Sequence, residues 1–311
     1  NYKFGIPIIQ SIIYFLCLFF FYQKITNKFS KHIVNATIFF LAFEPTLISY
    51  NSFYSTESLY LSIMLVLFIL FIDEPKKNFQ YFLIGLILGL SYMQRNVSIL
   101  LFLPIILYLF IFNKNKAIFQ SFLVLAGYSL ILLFIGLNEY KKTNLFYFTP
   151  PSQGDAHWHY VAHKLDAKKN KLSLNESLQK KNEELKLWIQ ENNINLNNLK
   201  DQRKVISYKK KYFLKTFNEN KLEYIKLHLY KTIQFSIINF SYSYNHVNLD
   251  KSLERWWETD QYKKFFKIQV FYSVIIYFVC FLGFVEMFKS SKDNRKLSIF
   301  IILIPLYFAA I

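Results

Sequence analysis

Eight apolar runs set the terms for this chain: residues 4–22, 33–50, 57–72, 79–93, 97–112, 117–137, 267–288 and 297–311. Hydrophobic residues fill 53% of the 311 positions and aromatic ones 20%, with 35 Phe and 23 Tyr. A water-soluble core of this size cannot cover that much apolar surface. Lipid can, provided each segment satisfies its own backbone polar groups, which for separate runs means helices. The sequence therefore predicts an all-α polytopic membrane protein. Several runs are shorter than the roughly 20 residues that cross a bilayer, so flanking residues are expected to extend them. The composition also excludes collagen-like, disordered and disulfide-scaffold chains. Cys17 and Cys280 sit inside apolar runs, where neither a disulfide framework nor a thiolate metal site is expected.

The formal charge is +17, from 37 Lys and Arg against 20 Asp and Glu. In a chain this apolar the expected partner for that charge is a membrane surface, not nucleic acid. The charge is also unevenly placed. One set of short loops carries Lys24, Lys28 and Lys31, then Lys76 and Lys77, then Lys114 and Lys116, then Lys289, Lys292, Arg295 and Lys296. The alternate loops, 51–56 and 94–96, carry Arg95 alone. The basic set is expected on the cytoplasmic side. Glu57, Arg95 and the long stretch 138–266 then face outward. Lys141, Lys142, Lys263, Lys264 and Lys267 flank that stretch and oppose the assignment, but long loops cross largely regardless of charge.

Three regions follow: six transmembrane helices over 1–137, an extracytoplasmic helical loop over 138–266, and two further helices over 267–311. Within the loop, residues 174–192 have the pattern of an amphipathic helix, with Leu178, Leu185, Trp188 and Ile189 near one face. Residues 205–240 read as a long helix rich in Lys, Tyr and Phe. Its second half, from Ile233 to Phe240, is apolar enough to lie along a membrane surface. The chain begins at Asn1 almost inside an apolar run and stops inside another, so a fragment of a longer membrane protein is expected. The excess of Lys, Asn, Ile and Phe over Ala and Gly suggests an AT-rich bacterial genome, and hence a bacterial inner (plasma) membrane.

Charged side chains at the edge of lipid are the first candidates for chemistry, because they are expensive there without partners. Glu44 precedes Pro45 at the outward end of the second run, Glu57 opens the third and Arg95 closes the fourth. All three belong to one face of the membrane and short connections allow them to converge. Two carboxylates and an arginine at that depth suit a phosphate-bearing lipid. Arginine grips phosphate oxygens with a charged fork, and a carboxylate holds a divalent metal or acts as a base. The competing reading is that segment ends are wet and tolerate charge. Glu286 lies near the cytoplasmic end of the seventh run, where it snorkels.

A second group is Asp155, His157, His159 and His163. Three histidines in seven residues could form a zinc site, although only His159 and His163 have helical i, i+4 spacing. An interfacial loop with aromatic anchors explains the stretch without a metal. Trp256-Trp257 reads as an interfacial belt or, less simply, a sugar-stacking pair. Gly85 and Gly89 form a G-x-x-x-G, for which close helix packing suffices.

These elements in order carry a resemblance: Phe43-Glu-Pro-Thr-Leu-Ile-Ser-Tyr50, a short loop, Ser55-Thr-Glu-Ser-Leu-Tyr60 opening a helix, and Leu83-Ile-Gly-Leu-Ile-Leu-Gly-Leu-Ser-Tyr-Met-Gln-Arg-Asn96. The chain resembles the GT-C superfamily of membrane glycosyltransferases, in the branch of aminoarabinose and protein mannosyl transferases and RgtA/B/C/D-like enzymes. The resemblance extends to the whole layout, but to specific residues only over about 43–114. It implies a GT-C-like transmembrane bundle with a large outward loop. It also implies a sugar moved from a polyprenyl-phosphate donor to a lipid, glycan or protein acceptor on the outer face. Glu57 matches the family's acidic residue at the start of the corresponding helix, and Arg95 its arginine; both are expected to be catalytic. The main catalytic acid would lie upstream of Asn1, so the fragment is expected to be inactive. Glu44, Tyr54, Asp155 and His157 are expected to contact substrate, although Glu44 and the histidines are not part of the family's pattern. A divalent metal is an expected cofactor, with Glu57 as a ligand. Two other classes compete: a transporter or flippase of lipid-linked sugars, and a non-catalytic assembly subunit. The first predicts midplane charges and inverted repeats, and the sequence has neither.

Overall fold

The computed structural model describes residues 2–43, 56–72, 75, 77–148 and 162–227, with the isolated positions 285, 299, 303 and 304. Among these residues every regular element is helical, as an all-α membrane protein requires. The chain divides into two compact units, residues 1–131 with 233–311, and residues 132–232. The last two apolar runs and Trp256-Trp257 lie outside the described residues, save those isolated positions.

The first unit contains α1 (Tyr2–Thr26), α2 (Lys31–Phe43), α3 (Thr56–Ile72), α4 (Asn78–Gln94), a 3-10 helix (Asn96–Leu100), α5 (Phe102–Phe112) and the first half of α6 (Ala117–Thr143). Gly5–Thr26 and Ala117–Thr143 are long and apolar enough to cross a membrane, and their most apolar stretches are only 11% and 28% buried within the protein. The core helix of a soluble protein would be mostly covered. These helices instead present Ile12, Phe15, Ile118 and Phe122 outward, and lipid is the medium that tolerates so continuous an apolar surface. Lys31–Phe43 and Glu57–Ile72 are shorter apolar helices, and Ser98–Phe112 is a shorter apolar helical stretch.

α3 packs against both α1 and α4. Tyr14 and Leu18 of α1 meet Leu65 of α3, with Leu61, Ile38 and Leu41 around them. The Tyr14 hydroxyl donates to the Leu41 carbonyl at 2.9 Å, which ties α2 to α1. α4 and α6 approach through glycine. A Cβ on Gly85 would stand 2.1 Å from the Val124 carbonyl oxygen, and one on Gly127 would stand 2.3 Å from that of Phe82. The G-x-x-x-G thus serves helix packing, and its partner is Gly127, which the sequence alone did not single out.

The run 97–112, expected as one segment, is broken into the 3-10 helix and α5. Pro104 is consistent with the break: it has no N–H to return to the Leu100 carbonyl, which disfavours a continuous α-helix through that bond. Pro104 falls instead in the first turn of α5, where the missing donor costs nothing.

In the second unit α6 continues to Thr143, six residues past the expected end at 137. It closes on Asn144, whose φ of 54° is left-handed and whose N–H reaches the Tyr140 carbonyl, an end that Asn tolerates. Three further helices follow: α7 (His163–Asn170), α8 (Leu174–Glu191) and α9 (Leu199–Glu219). α8 follows the predicted amphipathic helix, started by a capping box between Ser173 and Glu176. α9 begins six residues before the expected 205, because Asn198 caps it by accepting from the Lys200 N–H. It also stops earlier, at Asn220, whose side chain donates to the Thr216 carbonyl. Helix resumes over 221–227, and the stretch from Ile233 to Phe240 lies outside the described residues.

The interior of this unit is partly polar. Lys181 is buried, 2.9 Å from Glu184 and 3.8 Å from Asp166, with its ammonium over the Tyr212 ring at 4.4 Å. Burial disfavours the charge, yet the hydrogen bonds that the Lys181 ammonium donates to Tyr212 and Glu184, with the Asp166 carboxylate nearby, hold Lys181 above its ordinary pKa. Arg203, 5% exposed, pairs with Glu139 at 3.1 Å and stacks over Tyr147 at 4.3 Å. It joins α9 to the end of α6. We expect Arg203→Ala to destabilise this unit by about 2 kcal/mol, below the full range for a buried pair because Glu139 retains some water. Denaturant unfolding checks this, and an unchanged midpoint would remove Arg203 from the account.

Candidate functional site

Glu57 lies in the first turn of α3, where the helix dipole favours a carboxylate. Arg95 follows the last residue of α4 in extended backbone (φ −140°, ψ 121°), its N–H bonded to the Ser91 carbonyl at 2.9 Å. Arg95 is also the cap from which the 3-10 helix starts. Two helix ends thus arrive at the same place. The Arg95 Nη2 is 3.3 Å from Glu57 Oε1, with side chains 40% and 25% exposed. Both charges are open enough to reach an incoming ligand.

Beneath this pair runs a second link. Ser98 donates its hydroxyl to the Tyr60 oxygen at 3.0 Å, and the bond is buried. Tyr60 is three residues after Glu57 and Ser98 three after Arg95, so the two links form successive rungs between α3 and the turn that follows α4. Tyr128 of α6 donates to the Ile99 carbonyl at 2.7 Å and its ring packs on Phe102, holding the 3-10 helix from the other side. The upper rung is wet and the lower is dry, a layout that fixes where the two charges stand without burying them.

Tyr60 and Ser98 escaped the sequence reading. The repeated i, i+3 offset from Glu57 and Arg95 was the available signal, but Tyr and Ser are too common for that offset to be noticed before the helices are paired. We expect Tyr60→Phe and Ser98→Ala each to destabilise the first unit by about 1 kcal/mol. The double variant should lose little more than either single one, since both remove the same bond. Additive losses in thermal unfolding would show that the two side chains do not work together.

The remaining candidates divide differently. Glu44, Tyr54, Asp155, His157 and His159 lie outside the described residues. His163 opens α7 and is buried, and its carbonyl accepts the Ser177 hydroxyl at 2.8 Å. It is thus part of the interior of the second unit. Among the described residues no three of His, Cys, Asp or Glu gather as a metal site. Cys17 is a free thiol packed among the α1–α3 side chains.

Residues 1–137 match the model of a family described as dolichyl-phosphate-mannose-protein mannosyltransferase, of GT-C type. The matched stretch contains α1 to α5 and most of α6, and so both Glu57 and Arg95. No curated protein and no solved structure matches the chain.

Proposed function

From residues 1–137, which carry the signature of a GT-C-type membrane glycosyltransferase, we infer that this chain moves a sugar from a polyprenyl-phosphate donor to a lipid, glycan or protein acceptor at the outer face of the membrane. The observation that carries the reading is the Glu57–Arg95 pair, placed at 3.3 Å by two helix ends and left partly open to water. The reaction class accounts for both charges. An acceptor hydroxyl attacks the anomeric carbon, and the bond from that carbon to the phosphate oxygen breaks through an oxocarbenium-like state. The electron pair leaves on the lipid phosphate, and the hydroxyl proton passes to a base. Arg95 receives the negative charge that develops on the leaving phosphate. Glu57 holds the guanidinium toward the donor and is also within reach of an acceptor hydroxyl.

Glu44, Tyr54, Asp155 and His157 are proposed to line the substrate path. A divalent metal, with Glu57 as a ligand, would help neutralise the leaving phosphate. The basic short loops support an orientation with this site on the outer side of a bacterial plasma membrane. The stretch 138–266 would then be extracytoplasmic.

The test uses the full-length protein in membranes with a radiolabelled polyprenyl-phosphate hexose and a lipid extract. Label transferred to acceptor, with polyprenyl phosphate released, is the expected result. Label that crosses the bilayer still attached to its lipid would identify a flippase and overturn the proposal.

A further inference from the structure

Tyr81 lies 14 positions before Arg95, roughly 20 Å down the α4 axis at 1.5 Å per residue. A cavity of about 590 Å³ opens there between the starts of α4 and α6 and the end of α5, lined by Tyr81, Ile111, Phe112, Lys114, Asn115 and Lys116 among others. Its floor is rigid. Tyr81 donates to the Pro75 carbonyl at 2.8 Å, and the Asn113 amide donates to Tyr81 at 3.3 Å and to Gln120 Oε1 at 3.0 Å.

The lining has two chemistries. Lys114 and Lys116 supply two positive charges and Asn115 an amide, while none of the described lining residues is acidic. Ile111 and Phe112 make an apolar wall, which continues outside the cavity as the exposed Leu107 and Phe110 of α5 and the exposed Ile118, Phe119 and Phe122 of α6. A volume of this size suits a small ligand, and basic pockets between membrane helices hold anionic headgroups. Both lysines belong to the basic loops that the charge asymmetry assigns to the cytoplasmic side.

We propose that this cavity binds a phosphate group, the headgroup chemistry of an anionic lipid whose chains run along the apolar faces of α5 and α6. The site is separate from Glu57 and Arg95 and does not depend on the sugar-transfer reading. The phosphate has two conceivable sources, lipid or free anion, and the test separates them.

The full-length protein is purified into nanodiscs of phosphatidylcholine alone, or with about one fifth phosphatidylglycerol, or of phosphatidylcholine with inorganic phosphate added. The melting temperature of wild type should rise by about 3 °C or more with phosphatidylglycerol. Lys114→Gln/Lys116→Gln should lose that rise while melting as wild type does in phosphatidylcholine alone. A rise with inorganic phosphate that the same variant abolishes would support the site and assign it to the free anion. Equal rises in wild type and variant would reduce the effect to general surface charge and overturn the proposal, as would no rise in either arm. If the double variant melts lower in phosphatidylcholine, the single variants Lys114→Gln and Lys116→Gln are compared instead. Native mass spectrometry then counts the phosphatidylglycerol retained, and undiminished retention would overturn the proposal.

Discussion

Gly85→Ala should destabilise the helix bundle by about 3 kcal/mol, at the upper end of the usual range for overpacking. The added methyl would sit 2.1 Å from the Val124 carbonyl oxygen and 2.9 Å from the Tyr128 nitrogen. Both are backbone atoms, so no side-chain rotation can make room and α4 and α6 must separate. That separation loosens the buried Ile84, Leu88 and Val124 and the Tyr92–Tyr128 ring contact at 6.4 Å. Gly127→Ala meets the Phe82 carbonyl oxygen at 2.3 Å and should behave alike. The double variant should fall short of the sum, because helices already parted have room for a second methyl. Gly5 is an internal control, since a Cβ there meets nothing within 4 Å. Gly5→Ala should be neutral or stabilising by up to about 1 kcal/mol. Unfolding in mixed micelles checks all four. Equal behaviour of Gly85→Ala and Gly5→Ala would mean that α4 and α6 do not cross at these glycines.

The second large effect separates function from stability. The Glu57–Arg95 pair is partly exposed, and ion pairs of that kind contribute about 0–1 kcal/mol to folding. Arg95→Ala should therefore leave the melting temperature almost unchanged. Its effect on transfer should be far larger, a loss of about 100-fold or more in kcat, as expected on removal of one charged donor aimed at a developing anion. Arg95→Lys should recover part of the rate, because it restores the charge but not the planar fork. Glu57→Gln keeps the shape and removes the charge that holds the guanidinium. A fall in transfer matched by an equal loss of folded protein would make the pair a structural clasp.

The contrast between these predictions reflects what a sequence displays. Apolar runs are continuous signals, and the helices α1 to α6 follow them closely. Ends that depend on one residue were less visible. Pro104 splits a run that hydropathy alone reads as unbroken, and Asn198 starts α9 ahead of its apolar pattern. Partnerships across helices were least visible. Glu57 and Arg95 were noticed because charge is rare at the edge of lipid, and the structure brings the two together. Gly127 was passed over because a lone glycine in an apolar helix has no partner spacing to mark it. Arg203 and Glu139 stand 64 positions apart among many charges in a strongly basic stretch, so nothing in the sequence pairs them. Lys114 and Lys116 were read for topology, since nothing in a two-lysine loop announces a cavity. Each missed feature needs two distant segments placed side by side before its chemistry exists.

One measurement bears most directly on the proposal that the Glu57–Arg95 pair serves sugar transfer. Full-length wild type, Glu57→Gln and Arg95→Ala are placed in the same membranes at matched levels of folded protein. Each is then assayed for transfer from labelled polyprenyl-phosphate hexose. The account predicts transfer by wild type and a loss of about 100-fold or more in both variants. Wild-type rates in both folded variants would contradict it and leave the pair as an ordinary wet helix end.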